Sequence, residues 1–150
     1  MKLNPPVKRS KPLIPLSHDH HHGLVVCRRI LENIKPNSDP GCMATYIRNF
    51  WDSDLERHFK EEETIVFPLI PDDDAMVQQA LSEHRALSEI VGQLIAEPNG
   101  TAPLITEFAL LLRAHIRFEE RELFPHIEQL ASDEDLLTAS LKLQGSTKSI

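Results

Sequence analysis

Apolar side chains recur at steps of three and four residues along four long stretches of the chain. This spacing places them on one face of an α-helix, the face that packs into a protein core. A capping-box pattern begins a shorter fifth stretch. No segment shows the strict alternation and turn signals of a β-strand. The predicted helices run from an N-cap at Ser17 to about Lys35, over roughly residues 43–67, from residues 72–74 to the break at 98–100, from residues 101–103 through Leu123, and from Ser132 to about Leu143.

Four amphipathic helices joined by short turns predict an all-α protein, an up-down-up-down four-helix bundle with a short C-terminal fifth helix. We expect the bundle to cover residues 16–144 as one domain, because a chain of 150 residues can bury a core of its own. Residues 1–15 contain four prolines among lysines and an arginine and are predicted to form an extended N-terminal arm. Residues 145–150 are predicted to be a frayed C-terminus.

Each of the four main helices carries a histidine on its apolar face. The second and fourth helices also carry a glutamate four residues later, in the segments HFKEEETIVFP and HIRFEERELFP, which recur at an offset of 57 residues. Residues four apart lie on the same face of a helix, so each pair offers an imidazole nitrogen and a carboxylate oxygen to one point. The six candidate metal ligands are His20, His58, Glu62, His84, His115 and Glu119.

Two glutamates at the same depth of one core would repel each other, and a buried ionised carboxylate is costly unless it is paired or bound to a cation. A pair of cations between the helices would cancel that repulsion. Imidazole together with carboxylate suits iron, manganese and zinc, and inward-facing Glu and His side chains build the di-iron sites of helical bundles. The pattern therefore predicts a two-metal centre, with two iron ions first and zinc or manganese as alternatives.

The other histidines are expected outside this centre. His21 is the nearest rival of His20, and water or His22 could fill an open coordination position, so these alternatives stay open. His18 and His22 are otherwise expected in solvent. His126 lies seven residues beyond the second glutamate. That is about 10 Å along a helix, which is too far for the same metal.

Three glutamates and two cysteines flank the candidate ligands. Glu63 and Glu120 are expected to face outward or to hold imidazoles by hydrogen bonds, and Glu61 is expected in solvent. Cys27 lies on the inner face of the first helix and is expected in the core, whereas Cys42 follows a turn and is expected to be exposed.

These motifs resemble the hemerythrin-like, HHE cation-binding family over about residues 13–130. The matching pieces are Leu16-Ser-His-Asp-His20-His-His-Gly-Leu24, His58-x3-Glu62-Glu63 ending in Phe67-Pro68, Glu83-His84, and His115-x3-Glu119-Glu120 ending in Phe124-Pro125. The resemblance implies a non-haem di-iron centre inside a four-helix bundle. It also implies that the four histidines are terminal ligands and that the two glutamates bridge or chelate the irons.

Two positions depart from the oxygen-carrying hemerythrins. Those proteins have a second histidine four residues after the one on the third helix, and here that position is Ser88. They also carry a His-x4-Asp pair on the fourth helix, where this chain has His115-x3-Glu119. Four histidines and two carboxylates leave coordination positions open for water, peroxide, nitric oxide or dioxygen. The departures count against reversible oxygen carriage.

The composition of the chain limits which partners and which cellular compartment are expected. The formal charge of −7 argues against a nucleic-acid partner. No apolar run approaches the ~20 residues of a membrane helix, and no apolar segment follows the first lysines as it would in a secretory signal. Two cysteines are too few for a disulfide scaffold. We therefore expect a cytoplasmic protein.

The expected function is that of a di-iron protein that binds or reacts with a small oxidant or gas: dioxygen, peroxide or nitric oxide. Iron storage or iron-availability sensing is one alternative, and a metal-free interaction bundle is another. A metal-binding or sensor role is favoured over an enzyme, because no proton-transfer residue stands out beside the six candidate ligands. Tyr46, the only tyrosine, lies too far along the second helix.

Overall fold

The computed structural model describes residues 9–34, 39–97 and 99–147, and these residues form five helices and no strand. The all-helical class is therefore confirmed, while the up-down-up-down order stays a prediction. Helix α1 spans Ile14–Asn33, α2 covers residues 40–69, α3 spans Ala75–Ala96, α4 covers residues 102–130, and α5 spans Asp133–Thr147.

Helices α2 and α4 are continuous, but their winding changes along their length. Helix α2 consists of Pro40–Phe50, a π-turn at Trp51–Leu55, Glu56–Glu61, a second π-turn at Glu62–Val66 and a 3-10 turn at Phe67–Leu69. Helix α4 consists of Ala102–Phe118, a π-turn at Glu119–Leu123 and Phe124–Leu130. Such wide turns are rare and are frequent at functional sites. In each of these two helices, a π-turn begins at the glutamate of the repeated motif. The two copies of the motif therefore share a backbone conformation as well as a sequence pattern.

Polar side chains and a glycine set the helix ends. The carboxylate of Asp74 accepts hydrogen bonds from the backbone N–H groups of Met76 and Val77, at 2.9 and 3.3 Å, and begins α3. The hydroxyl of Thr101 accepts from the N–H of Leu104 at 3.3 Å and begins α4. Between these helices Gly100 has a φ of 61°, a left-handed conformation that glycine adopts without strain.

The core consists of two apolar clusters with a polar layer between them. One cluster includes Ile30, Ile47, Leu94 and Phe108, and the other includes Leu16, Val66, Ala80, Leu123 and Phe124. Along each of the four long helices, the candidate metal ligands come between residues of the first cluster and residues of the second. The fold therefore encloses the polar layer with apolar side chains at both ends.

Helix α1 begins earlier than the sequence pattern predicts. Its first residue is Ile14, not a residue after a cap at Ser17, and Pro15 fits the first turn because its missing N–H would be unpaired there. The hydroxyl of Ser17 instead donates to Glu120. A 3-10 turn at Lys11–Leu13 precedes the helix. Of the predicted extended arm, residues 1–8 lie outside the described residues.

Helix α5 extends past its predicted end near Leu143. It continues to Thr147, and residues 148–150 lie outside the described part of the chain. Leu136, Ala139 and Leu143 are buried, and the helix packs against the turn at Lys11–Leu13 and the π-turn at Glu62–Val66. None of the described helices is long and apolar enough to cross a membrane.

Candidate metal centre

The structure brings all six candidate ligands together in the polar layer. Each of them is at most 3% exposed. They form two groups, His20 with His58 and His84 with His115, and both groups include Glu62 and Glu119. Within each group the nitrogen and oxygen atoms that could hold a metal ion lie within 4.8 Å of one another.

Helix geometry supplies two of the six short contacts between an imidazole Nε2 atom and a carboxylate in this layer. The Nε2 atom of His58 lies 3.4 Å from the carboxylate of Glu62, and that of His115 lies 3.3 Å from the carboxylate of Glu119, each pair being four residues apart. The other contacts cross between helices. His20 Nε2 lies 2.8 Å from Glu119, and His84 Nε2 lies 3.1 Å from Glu62. Both carboxylates are thus shared between the two groups.

A carboxylate holds the outer nitrogen of every imidazole. The Nδ1 atom of His20 lies 2.7 Å from Glu120, that of His58 lies 3.1 Å from Asp19, that of His84 lies 2.7 Å from Glu63, and that of His115 lies 2.7 Å from Glu83. A proton on Nδ1 donates to the carboxylate and leaves the Nε2 lone pair facing the layer. Hydrogen bonds of this kind orient the histidines that bind metals in proteins.

The inner atoms fit a bound cation. The Nε2 atoms of His20 and His58 and all four carboxylate oxygens of Glu62 and Glu119 are buried without a hydrogen-bond partner in the described structure. The Nε2 atoms of His84 and His115 lie 3.1 Å apart. Since a carboxylate holds each ring at Nδ1, two lone pairs face each other there unless a proton or a cation lies between them. Buried acceptors without a partner are costly, and a metal ion would satisfy them together.

The comparison with protein families agrees with this chemistry. The model of the hemerythrin HHE cation binding domain matches residues 13–127. The chain belongs to this family. Neither the curated proteins nor the solved structures contain a significant match. The family binds cations, and the buried His and Glu groups of this HHE domain could hold a metal.

The six candidate ligands are called the HHE cluster below. When no cation balances the negative charge of its two glutamates, protons on the imidazoles do so. Burial disfavours the protonated imidazole, but the nearby carboxylates of Glu119, Glu62 and Glu63, which accept from a protonated ring, outweigh burial and raise the pKa of His84 to about 11. The pKa of His115 is raised to about 9, against the effect of burial, chiefly by the charge of Glu119. Burial opposes ionisation of Glu119 as well, yet the charge of His115 brings the pKa of this carboxyl well below its usual value. The buried negative charge of the two glutamates must therefore be neutralised, either by protons on the imidazoles or by a cation.

The remaining histidines lie outside the HHE cluster. His18, His21 and His22 are exposed, and the ring of His22 lies 3.6 Å from Asp54 at the surface. His20 rather than His21 therefore points into the polar layer. The Nε2 atom of His126 lies 2.6 Å from Asp74, which is not one of the six candidate ligands.

Some neighbouring residues were predicted correctly and others were not. Glu63 and Glu120 hold imidazoles, as expected. Asp19 and Glu83 have the same role and were missed. Each directly precedes a cluster histidine in sequence, which is the only signal that could have indicated it.

The prediction that Glu61 lies in solvent is wrong. Its side chain is 3% exposed, and both oxygens lack a hydrogen-bond partner in the described structure. Glu61 directly precedes the π-turn at Glu62–Val66, against which helix α5 packs.

The cysteines match their predicted environments. Cys27 is buried and Cys42 is exposed. Burial raises the pKa of the Cys27 thiol to about 12, so this side chain is a small apolar core residue and not a reactive thiolate.

A cavity of about 110 Å³ adjoins the HHE cluster. His20, His58 and His115 contribute to its inner wall, and apolar side chains such as Leu112 and Ile116 form much of the remainder. His22 and Asp54, which are exposed, lie at its rim. No serine, threonine or tyrosine is among its described lining residues.

Proposed function

We propose that the six clustered residues hold two metal ions, iron in the first place, and that this centre binds or reacts with a small oxidant or gas. In the proposal, His20 and His58 belong to one ion, His84 and His115 belong to the other, and both ions share the two glutamates. Bound iron would supply redox chemistry and open positions for dioxygen, peroxide or nitric oxide.

One observation carries this proposal. Glu62 and Glu119 are fully buried and adjacent, and their four oxygens have no hydrogen-bond donor in the described structure. Both belong to each of two groups of potential metal-binding atoms. A single cation would leave one group of imidazoles without a partner, whereas two cations would satisfy both groups and cancel the repulsion between the carboxylates.

The cavity supports a small and weakly polar ligand. It meets the cluster on the side of three imidazoles, and its lining includes five apolar side chains: Phe50, Leu55, Phe59, Leu112 and Ile116. Its volume of about 110 Å³ suits a molecule of a few atoms and excludes a larger metabolite. Among the lining residues, the polar side chains beyond the cluster are Asp19, His22 and Asp54.

These neighbours favour ligand binding or sensing over catalytic turnover. Asp19 is already engaged with an imidazole, and the other two polar groups lie at the exposed rim. The residues of the chain would thus orient the imidazoles, exclude bulk water and limit the size of the ligand. None of the described lining residues is positioned as a dedicated proton donor.

The first experiment is elemental analysis of the protein after expression with iron supplied, for the wild type and for Glu62→Gln, Glu119→Gln and Glu61→Gln. Glu61 is a matched control because it is equally buried and adjacent to Glu62 but belongs to neither group. We expect about two irons per chain in the wild type and in Glu61→Gln. Each cluster variant should lose most of its iron, because both groups use its carboxylate.

The optical spectrum, recorded with and without air, distinguishes the proposed function from iron storage or sensing and from a metal-free interaction bundle. An air-dependent absorption band at two irons per chain supports the oxidant or gas ligand. Iron that a chelator removes readily, without such a band, would favour storage or availability sensing. Metal-free wild-type protein together with unchanged or higher stability in the glutamine variants would favour an interaction bundle, since removal of an uncompensated buried charge is stabilising.

A further inference from the structure

The N-terminal segment, residues 9–13, is anchored beside the cluster by a buried arginine. The side chain of Arg9 is 7% exposed. Its Nη1 atom donates to the carboxylate of Glu128 at 2.7 Å, and its Nη2 atom donates to the backbone carbonyl of Glu120 at 2.6 Å. Nη2 also lies 3.5 Å from the Glu120 carboxylate. The backbone N–H of Ser10 donates to Glu128 as well.

Two routes connect this arginine to the same imidazole. The first is electrostatic, because the Glu120 carboxylate that Arg9 approaches also holds His20 Nδ1 at 2.7 Å and accepts from Ser17 at 2.8 Å. The second is through aromatic packing. The guanidinium lies over the ring of Phe124, 5.4 Å from its centroid, and the same ring stacks with that of His20 at a centroid distance of 5.2 Å and an angle of 22°.

The arrangement distinguishes one half of the cluster from the other. In the described structure, Asp19, Glu63 and Glu83 have no arginine or lysine within ion-pair distance. Among these four carboxylates, Glu120 is the one with a cationic partner in the part of the chain that the structure describes. The influence of the arginine is therefore directed at His20.

We propose that Arg9 is a positioning residue. By docking the N-terminal segment against α4, it fixes Glu120 and through it His20, and so sets the affinity of the half of the centre that contains His20 and His58. By linkage, a metal ion in that half strengthens the docking of the segment by the same factor. This inference rests on the proposed metal centre, and it makes the N-terminal segment the part of the chain that responds to the metal.

The test is a titration with cobalt(II), a spectroscopic probe for imidazole and carboxylate sites. It compares the wild type, Arg9→Gln, Glu128→Gln and the control Arg48→Gln. Arg48 also donates to a backbone carbonyl of another helix, that of Leu94 at 3.1 Å, and it donates to the hydroxyl of Thr45. We expect Arg9→Gln to weaken one of two cobalt equivalents about 10-fold or more and to leave the other unchanged. Glu128→Gln removes the anchor without touching Glu120, so a smaller effect in the same direction is expected.

A second readout needs no metal. In the metal-free protein, the Nδ1 proton of His20 should exchange with water faster in Arg9→Gln, while that of His84 should not change. Equal weakening of both cobalt equivalents, or an unchanged His20 proton, would overturn the role of Arg9. A wild type that binds no cobalt would overturn the metal centre itself, whereas two normal equivalents in both proteins would overturn only the positioning role.

Discussion

Each imidazole of the cluster faces inward because a carboxylate on another helix holds its outer nitrogen. Such a bond contributes to stability only modestly, but it decides which nitrogen carries the proton and where the ring points. All four carboxylates are partly exposed, and the water around them weakens the effect of their charge. Their main effect is therefore orientation of the rings.

Glu83→Ala tests this orientation at one ring. Its carboxylate lies 2.7 Å from His115 Nδ1, so its removal frees the ring to rotate. We expect metal affinity to fall about 10- to 100-fold with little change in stability. Isothermal titration with cobalt(II) measures it, and Glu89→Ala, an exposed glutamate on the same helix, is the control. Equal affinities in the two variants would exclude an orienting role.

The positions of the six clustered residues could be predicted from the sequence because each lies on the apolar face of its own helix. Their neighbours could be predicted less well. Asp19 and Glu83 reach imidazoles on other helices, and helical spacing within one segment does not show that contact. Glu61 was predicted to lie in solvent from its position on the helix, and its burial arises from tertiary packing that helical spacing does not show.

At the scale of the helix, glycine has two different roles. Gly92 lies in α3 with no atom within 4 Å of the position a Cβ would take. Gly23 lies in α1 at the cavity wall, where a Cβ would come 2.8 Å from the end of the Ile116 side chain. The first glycine only weakens its helix, whereas the second permits close packing between α1 and α4.

Gly92→Ala should stabilise the protein by about 0.5–1 kcal/mol, because alanine has the better helix propensity and meets nothing. Gly23→Ala should gain less, because the end of Ile116 must move first. Urea unfolding of both variants measures the difference. A larger gain at Gly23 than at Gly92 would show that the space above α1 is wider than the contact with Ile116 implies.

The start of α3 predicts a pH dependence. The hydrogen bond from His126 holds the pKa of Asp74 below its usual value, and the same carboxylate caps the helix. The ionised carboxylate therefore stabilises the fold above about pH 4, the unfolded value, and this contribution is lost as the pH falls through the lower folded value. Asp74→Ala should cost about 1 kcal/mol at pH 6, and the cost should shrink towards pH 3.

Unfolding midpoints at both pH values measure this effect. Asp74→Asn is the control, because asparagine keeps the cap but carries no charge. A cost for Asp74→Ala that is equal at pH 6 and pH 3 would mean that the charge of Asp74 contributes nothing.

The existence of the helices could be predicted from apolar periodicity, but their ends and internal winding could not. Pro15 suggests an extended arm in sequence, yet it occupies the first turn of α1. The π-turns at Glu62–Val66 and Glu119–Leu123 leave no compositional trace, because they depend on packing of the whole helix. They were therefore found only in the structure.

At the scale of the whole molecule, the polar layer between the two apolar clusters lowers the stability of the fold. Buried charge at this plane opposes folding until it is neutralised. A ligand that binds only the folded state stabilises it by mass action. Metal binding and global stability should therefore be coupled.

Cobalt(II) at about 100 times its dissociation constant should stabilise the protein by about 2.7 kcal/mol per site. That corresponds to a rise in melting temperature of roughly 5–11 °C for a chain of this size. Circular dichroism melts before and after addition of a chelator measure the shift. The double variant Glu62→Gln, Glu119→Gln should show none, and a similar shift there would mean that cobalt stabilises the protein from another site.

The two halves of the cluster are near copies, since each combines two imidazoles with the same two carboxylates. If the proposed centre holds two iron ions, an electron that enters it would find two almost equivalent positions, and small influences would decide which one it takes. Among the described residues, the guanidinium of Arg9 is the positive charge within ion-pair distance of an imidazole-holding carboxylate, and a positive charge favours the less positive ion beside it. In a mixed-valence state, the reduced ion would therefore sit on the side of His20, and an N-terminal side chain would determine the order of valences.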